Sequence, residues 1–156
     1  MSAGDRGERD EDAVHWSDEY SVGFGVIDDQ HKKLVRMTNS LFEGCRRGSA
    51  AADEALMRTI REAVEYAQTH FYTEERYMRE TAYPGLEDHK KEHEAFVSTV
   101  MAAVNGGKRG RTEALSLARF LKKWLLNHIA GSDQGYAPYL AGLPGGGGEP
   151  PGDGGA

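Results

Sequence analysis

Apolar residues recur three and four positions apart in four stretches of the chain, the spacing that lines one face of an α-helix. The first stretch runs from about Asp28 to Arg46, with Leu34, Met37, Leu41 and Phe42 facing inward. A small-residue break at 48–52 precedes the second, from about Asp53 to Glu80, whose inward positions are Leu56, Ile60, Val64, Ala67, Phe71 and Met78. Tyr83, Pro84 and Gly85 end that helix, because proline lacks an amide donor and disfavours helical geometry in the residue before it. The third spans about Leu86 to Val104, with Phe96, Val97 and Val100, and stops at Asn105, Gly106 and Gly107. The fourth covers about Thr112 to Ala130, with Leu115, Leu117, Phe120, Leu121, Leu125 and Ile129. Short connections between long amphipathic helices predict an all-α fold, an antiparallel up-and-down four-helix bundle.

Ahead of the first helix, Trp16, Tyr20, Val22, Phe24 and Val26 are apolar without helical spacing, which predicts an ordered N-terminal arm packed across the bundle. Residues 1–13 mix charge with glycine, and residues 142–156 are mostly glycine and proline. Neither segment has an apolar face to bury, so both are expected as disordered tails around one domain over 14–141.

Charge narrows the range of partners. The chain has 156 residues, 25 acidic against 19 basic, for a formal net charge of −6. Such a surface repels phosphate backbones, which argues against nucleic acid. Cys45 is the only cysteine, so no intramolecular disulfide forms and a reducing compartment is expected. The polar start at 1–20 and the absence of any long uncharged apolar run predict a cytoplasmic protein without membrane insertion.

Six histidines occur, and five of them fall inside the predicted helices. His70 precedes Glu74 by four residues, and His89 precedes His93 by four, so each pair shares a helix face one turn apart. His31 sits near the start of the first helix. His128 is near the end of the fourth and is followed at five residues by Asp133. In an antiparallel bundle these helix ends lie at one level, so His31, His70, Glu74, His89, His93, His128 and Asp133 can converge. Five imidazoles scattered through a small core would otherwise demand many hydrogen-bond partners. His15 belongs to the polar arm and is read as a surface residue.

Two metal chemistries can be weighed from spacing alone. His89, Glu92 and His93 spell His-x-x-Glu-His, a zinc-hydrolase pattern with the glutamate as base. Zinc takes about four ligands, however, so seven donors are too many for one ion, and Glu92 lies about a quarter-turn from the histidine pair. A carboxylate-rich di-iron oxidase uses Glu-x-x-His on two helices, and that motif is absent from this sequence. Imidazole suits iron, zinc, copper and nickel alike, so donor type leaves the metal open. Asp133 also needs a departure from regular geometry, since five residues turn about 140° on an ideal helix. A widened turn or frayed end must intervene, which Gly131 and Ser132 make inexpensive.

Four motifs in order resemble the hemerythrins, the bacterial branch most closely, over about Trp16 to Tyr139. They are Gly-Val-Ile-Asp-Asp-Gln-His ending at His31, His-Phe-x-x-Glu-Glu-x-x-Met from His70, His-x-x-x-His-x-x-Phe from His89, and Trp-Leu-x-x-His-Ile-x-x-x-Asp-x-x-Tyr from Trp124. The resemblance implies two iron ions, one on His89, His93 and His128 and the other on His31 and His70. Glu74, Asp133 and an oxo or hydroxo group would bridge them, leaving one position on the two-histidine iron for dioxygen. It further implies a dry oxygen pocket lined by Phe71, Trp124, Leu125 and Ile129, and reversible oxygen binding rather than catalysis. Storage, delivery to an oxygen-consuming enzyme, or sensing are the roles that follow, for a protein expected as a monomer. A di-iron enzyme such as a peroxidase, a nitric oxide handler or an iron oxidase is the alternative. Trp16 and Tyr136 are expected to be packing residues, and Glu75 a solvated charge.

Overall fold

The computed structural model describes residues 12–142. Among these residues the chain forms helices and no strand. After a short 3-10 turn at Asp18–Tyr20, helix α1 is Gly25–Arg46 and α2 is Ser49–Tyr66. A π-helical segment, Ala67–Phe71, joins α2 without a break to α3, Tyr72–Glu80. Helix α4 is Leu86–Gly106 and α5 is Arg111–Trp124. A second π segment, Leu125–Ser132, leads directly into α6, Asp133–Leu140. Four rods result, α1, α2–α3, α4 and α5–α6, and they form the antiparallel up-and-down four-helix bundle that the periodicity predicts. The tails expected at 1–13 and 142–156 lie, over 1–11 and 143–156, outside the described residues.

Backbone chemistry makes the turns. Gly48, at φ 111, separates α1 from α2, and Gly107, at φ 61, closes α4 in the left-handed conformation that glycine adopts without a Cβ penalty. The α4–α5 connection is tied back to α2, where Asp53 Oδ1 accepts from the Gly110 amide at 2.7 Å. Where α1 meets α2, a Cβ on Gly44 would come within 2.5 Å of the Ala55 Cβ, so only glycine permits this approach.

The inward residues expected on α1 are buried, as are Leu56, Ile60, Phe71 and Met78 on the second rod. Val97 is an exception: it faces outward and is 40% exposed, while Phe96 and Val100 carry the packing of α4. The fourth rod continues ten residues past the expected end at Ala130. Gly131, Gly135 and Pro138 are poor helix formers, yet Tyr136 and Leu140 are completely buried, and tertiary packing overrides local propensity.

The arm expected from Trp16 to Val26 is ordered. Its path is held at Val14, whose amide and carbonyl both hydrogen-bond the Asn39 side chain at 2.8 Å. Asp28 holds the other end, accepting from the Val22 amide at 2.9 Å and from the Ser21 hydroxyl. Val26 departs from this description, being part of α1 and exposed.

Two apolar clusters divide the interior. The larger includes Leu34, Leu41, Phe71, Phe96, Leu121 and Ile129, and the smaller comprises Val22, Phe24, Ile27, Met78, Tyr136 and Leu140. His31 lies between Ile27 and Leu34 on α1, Glu74 between Phe71 and Met78, and Asp133 between Ile129 and Tyr136. The polar layer is therefore sealed by apolar side chains above and below.

Candidate metal centre

Each rod contributes to that layer. His31 comes from α1, His70 and Glu74 from the π segment and first turn of α3, His89 and His93 from α4, and His128 and Asp133 from the second π segment and the start of α6. All seven are no more than 3% exposed. The π segment answers the spacing problem at Asp133, because hydrogen bonds spanning five residues bring a side chain five positions on back beneath His128. A second π segment, around His70, was not expected from the sequence.

The donor atoms crowd one space. Asp133 Oδ1 lies 2.7 Å from His89 Nε2 and 3.2 Å from His128 Nε2, and its Oδ2 lies 3.0 Å from His31 Nε2. Glu74 Oε2 is 3.2 Å from His70 Nε2 and 3.0 Å from His93 Nε2, while its Oε1 is 3.3 Å from His89 Nε2. Two groups of four emerge, Glu74 with His89, His93 and His128, and His31 with His70, Glu74 and Asp133, each with its donor atoms within 4.8 Å of one another. Glu74 belongs to both groups, and the Asp133 contacts reach both.

Internal pairing leaves this layer incomplete. Buried atoms without a hydrogen-bond partner include Glu74 Oε1, both Asp133 carboxylate oxygens, and Nε2 of His89 and His128. Each such group costs about 1–3 kcal/mol when nothing replaces water. Seven converging donors with orphaned lone pairs therefore suit a pair of metal cations.

The side chains by themselves already favour separated charge. Burial opposes the charge on His89, but the nearby carboxylates of Asp133 and Glu74 outweigh it and push the imidazole up to about 9. His128 is likewise raised, against burial, by Asp133, Glu74 and Glu92. His70 is lowered, chiefly by burial. Burial would raise both carboxylates, yet the histidines hold Glu74 well below its ordinary value, and Asp133 falls to about 2 despite Glu74 nearby.

The four residues expected around an oxygen pocket are all buried, and each borders one of three spaces. Phe71 stacks on His93 and lines a groove of about 810 Å³ between the second rod and α4. Trp124 stacks on His128 and lines a cleft of about 330 Å³ between α4 and α5. Leu125 and Ile129 face a space of about 10 Å³ beneath Val14, Trp16 and Tyr20 of the arm, room for barely one water. His15 is exposed, as expected.

Several outer residues were missed by spacing arguments. Gln30 Oε1 accepts from His70 Nδ1 at 2.6 Å, and Tyr66 stacks on the His70 ring with centroids 4.9 Å apart. Glu92, set aside as pointing away, contacts His128 Nδ1 with one oxygen and accepts from Ser132 Oγ at 2.7 Å with the other. Glu75 is only partly solvated, with Oε1 3.6 Å from His93 Nδ1. Gln30 precedes a ligand candidate and Glu92 sits inside the His-x-x-Glu-His string, which are the signals that mark them in the sequence.

Fold and donor set together define a helical-bundle protein with a buried, histidine-rich cation site. The chain belongs to the hemerythrin family: the Hemerythrin HHE cation binding domain matches residues 22–140. The bacteriohemerythrin of Stenotrophomonas maltophilia is 36% identical over 122 residues, 78% of each chain. The hemerythrin-like protein of Naegleria gruberi is 30% identical over 126 residues, covering 81% of this chain and 92% of that protein. A solved wild-type hemerythrin superposes with a TM-score of 0.65 at 28% identity, over 82% of this chain and 98% of that one. Among the described residues, no helix is long and apolar enough to cross a membrane.

Proposed function

We propose that this protein binds dioxygen reversibly at a pair of non-heme iron ions held by His31, His70, Glu74, His89, His93, His128 and Asp133. The observation that carries this reading is the overlap of the two donor groups at Glu74, with Asp133 touching both, which makes two adjacent metal positions with three and two imidazoles. When bound, a ferrous pair supplies two electrons to dioxygen and recovers them on release.

The chain's own part is to position the donors and to keep water out. Glu74 and Asp133 would span the two positions, and the apolar clusters close the layer from both sides. Phe71 and Trp124 cover His93 and His128, while Leu125 and Ile129 separate the layer from the arm. Fewer imidazoles on the His31 and His70 side leave that side the less crowded one for a small ligand. Oxygen storage in the cytoplasm, or delivery by a monomer to an oxygen-consuming enzyme, is the role this chemistry fits.

The test is an absorption spectrum of the reduced protein before air, after air and after oxygen is removed again, alongside iron analysis. Two irons per chain and a spectrum that reverses are expected. His70→Ala and Asp133→Ala should lower iron content, and His15→Ala should not. Full iron occupancy with an unchanged spectrum in both ligand variants would sink the assignment.

The two clefts that reach His93 and His128 favour a second reading, an enzyme such as a peroxidase, a nitric oxide handler or an iron oxidase. Continuous oxygen consumption under a reductant, with no reversible adduct, would select it.

A further inference from the structure

A ligating imidazole has two nitrogens, and the partner of the outer one governs its orientation and its donor strength. The five histidines differ in this respect. The His31 Nδ1 is buried without a partner, and the His70 Nδ1 donates to a neutral amide oxygen on Gln30 at 2.6 Å. The His93 Nδ1 lies 3.6 Å from Glu75, beyond hydrogen-bond range. Among the hydrogen bonds of the described residues, His128 alone of the five meets a carboxylate at its outer nitrogen, that of Glu92.

Glu92 is held in turn. Its second oxygen accepts from Ser132 Oγ at 2.7 Å, so the carboxylate is fixed at both ends. It projects from α4 between His89 and His93, and its partners belong to the π segment that carries His128 and leads into Asp133. One side chain therefore couples the elements bearing four of the seven proposed ligands.

We propose that Glu92 is a positioning residue of the metal centre, aiming His128 Nε2 inward and strengthening that imidazole as a donor. The inference rests on the reading of His128 as a metal ligand. A carboxylate accepting the Nδ1 proton draws it away from the ring, and charge-assisted bonds of this kind are about twice as strong as neutral ones. The ring gains electron density at Nε2 and supports the more highly charged metal. Gln30, being neutral, does less for His70. The three-histidine position is therefore the more electron-rich of the two, an asymmetry beyond the count of imidazoles.

Glu92 is partly exposed on the cleft of about 330 Å³, and an ion pair at a surface is worth little by itself. Glu92→Gln separates the two roles, because the amide keeps the shape and a hydrogen-bond acceptor but loses the charge. In full-length, iron-loaded protein, Glu92→Gln should release iron to a chelator with about a 10- to 100-fold loss of affinity. Its reduction potential should rise and its helix content should match the parent. Glu92→Ala should be weaker still, and formate entering the open cleft should restore part of its iron retention where chloride does not. Gln30→Glu, which sets a carboxylate against His70, should lower the potential, and this test remains if a Glu92 variant fails to fold. Parent-like affinity and potential in Glu92→Gln, or an unchanged potential in Gln30→Glu, would overturn the proposal while loss of iron in His128→Ala left the metal reading standing. Full iron retention in His128→Ala would instead remove the reading beneath it.

Discussion

The ring of Phe71 lies flat on the imidazole of His93, with centroids 3.9 Å apart and planes 8° from parallel. Phe71 also meets Phe96 edge-on and Trp124 at 5.6 Å, so one ring joins a proposed ligand to the aromatic part of the core. Phe71→Ala should cost about 3–5 kcal/mol of stability. It should also widen the groove where it meets His93 and speed iron loss, whereas Phe71→Leu should retain most of both. Chemical denaturation and chelator competition measure the two effects; a stable alanine variant with parent iron retention would contradict this role.

Proton release should accompany metal loading. The carboxylates beside His89 push its imidazole up to about 9 and those beside His128 raise it above its ordinary value, so both shifts favour the protonated rings in chelated protein. Ligation needs them neutral, and iron must displace those protons. Adding ferrous iron anaerobically at pH 7.5 to weakly buffered, chelated protein should acidify the solution, which an indicator dye reports. An unchanged pH on full loading would contradict the protonated pair.

Stability of the chelated protein should have the opposite pH dependence from metal affinity. His89 is raised from 6.5 to about 9, so its contribution is complete below 6.5 and is lost as pH rises through 9. Asp133 is depressed from 3.8 to about 2, so its contribution is present above 3.8 and is lost as pH falls through 2. The Tm of chelated protein should drop by several degrees between pH 6.5 and 9, while iron affinity rises over the same interval. Thermal scans of both forms decide it, and a Tm that climbs with pH without metal would reverse the sign.

Leu125 separates the metal layer from the narrow space under the arm. Leu125→Ala removes that wall and should cost about 2–5 kcal/mol. The void joins space beneath Val14, Trp16 and Tyr20, giving solvent a route inward. Reduced protein exposed to air should then pass to the ferric form faster than the parent, which stopped-flow spectra can follow. Equal rates would remove Leu125 as the barrier.

At the far end of α1, Gly44→Ala should destabilise by about 1–3 kcal/mol, because the new methyl overlaps Ala55. Adding Ala55→Gly should return part of the loss, a coupling that a double-mutant cycle isolates. Additive effects would show that the helices simply move apart.

Much of this architecture was legible from residue spacing, because amphipathic helices write their inward face every three or four residues. The seven donors were legible for the same reason, as neighbours one turn apart at helix ends that topology brings level. Asp133 announced a departure from α geometry by arithmetic alone. The extension to Leu140 was hidden because glycine and proline signal a stop locally, while the burial of Tyr136 and Leu140 is a tertiary fact. The contact of Glu92 with His128 was hidden because spacing on α4 relates it only to His89 and His93, while a glutamate is long enough to reach across from the flank of α4 to His128. The outward turn of Val97 follows from the groove beside α4, which no one-dimensional pattern records.

The wide turn at Leu125–Ser132 holds one residue more than an ordinary helix would place between His128 and Asp133. At full length, relaxation of the backbone to ordinary α spacing would swing everything beyond it by about 100°. Asp133 would leave the metal layer, and Tyr136 and Leu140 would lose their seats together. Deleting one residue between His128 and Asp133 would instead leave them four apart, a spacing that regular helix already brings to one face. The wide turn is therefore the consequence of a single extra codon, and a relative one residue shorter here should carry an unbroken helix and the same pair of donors.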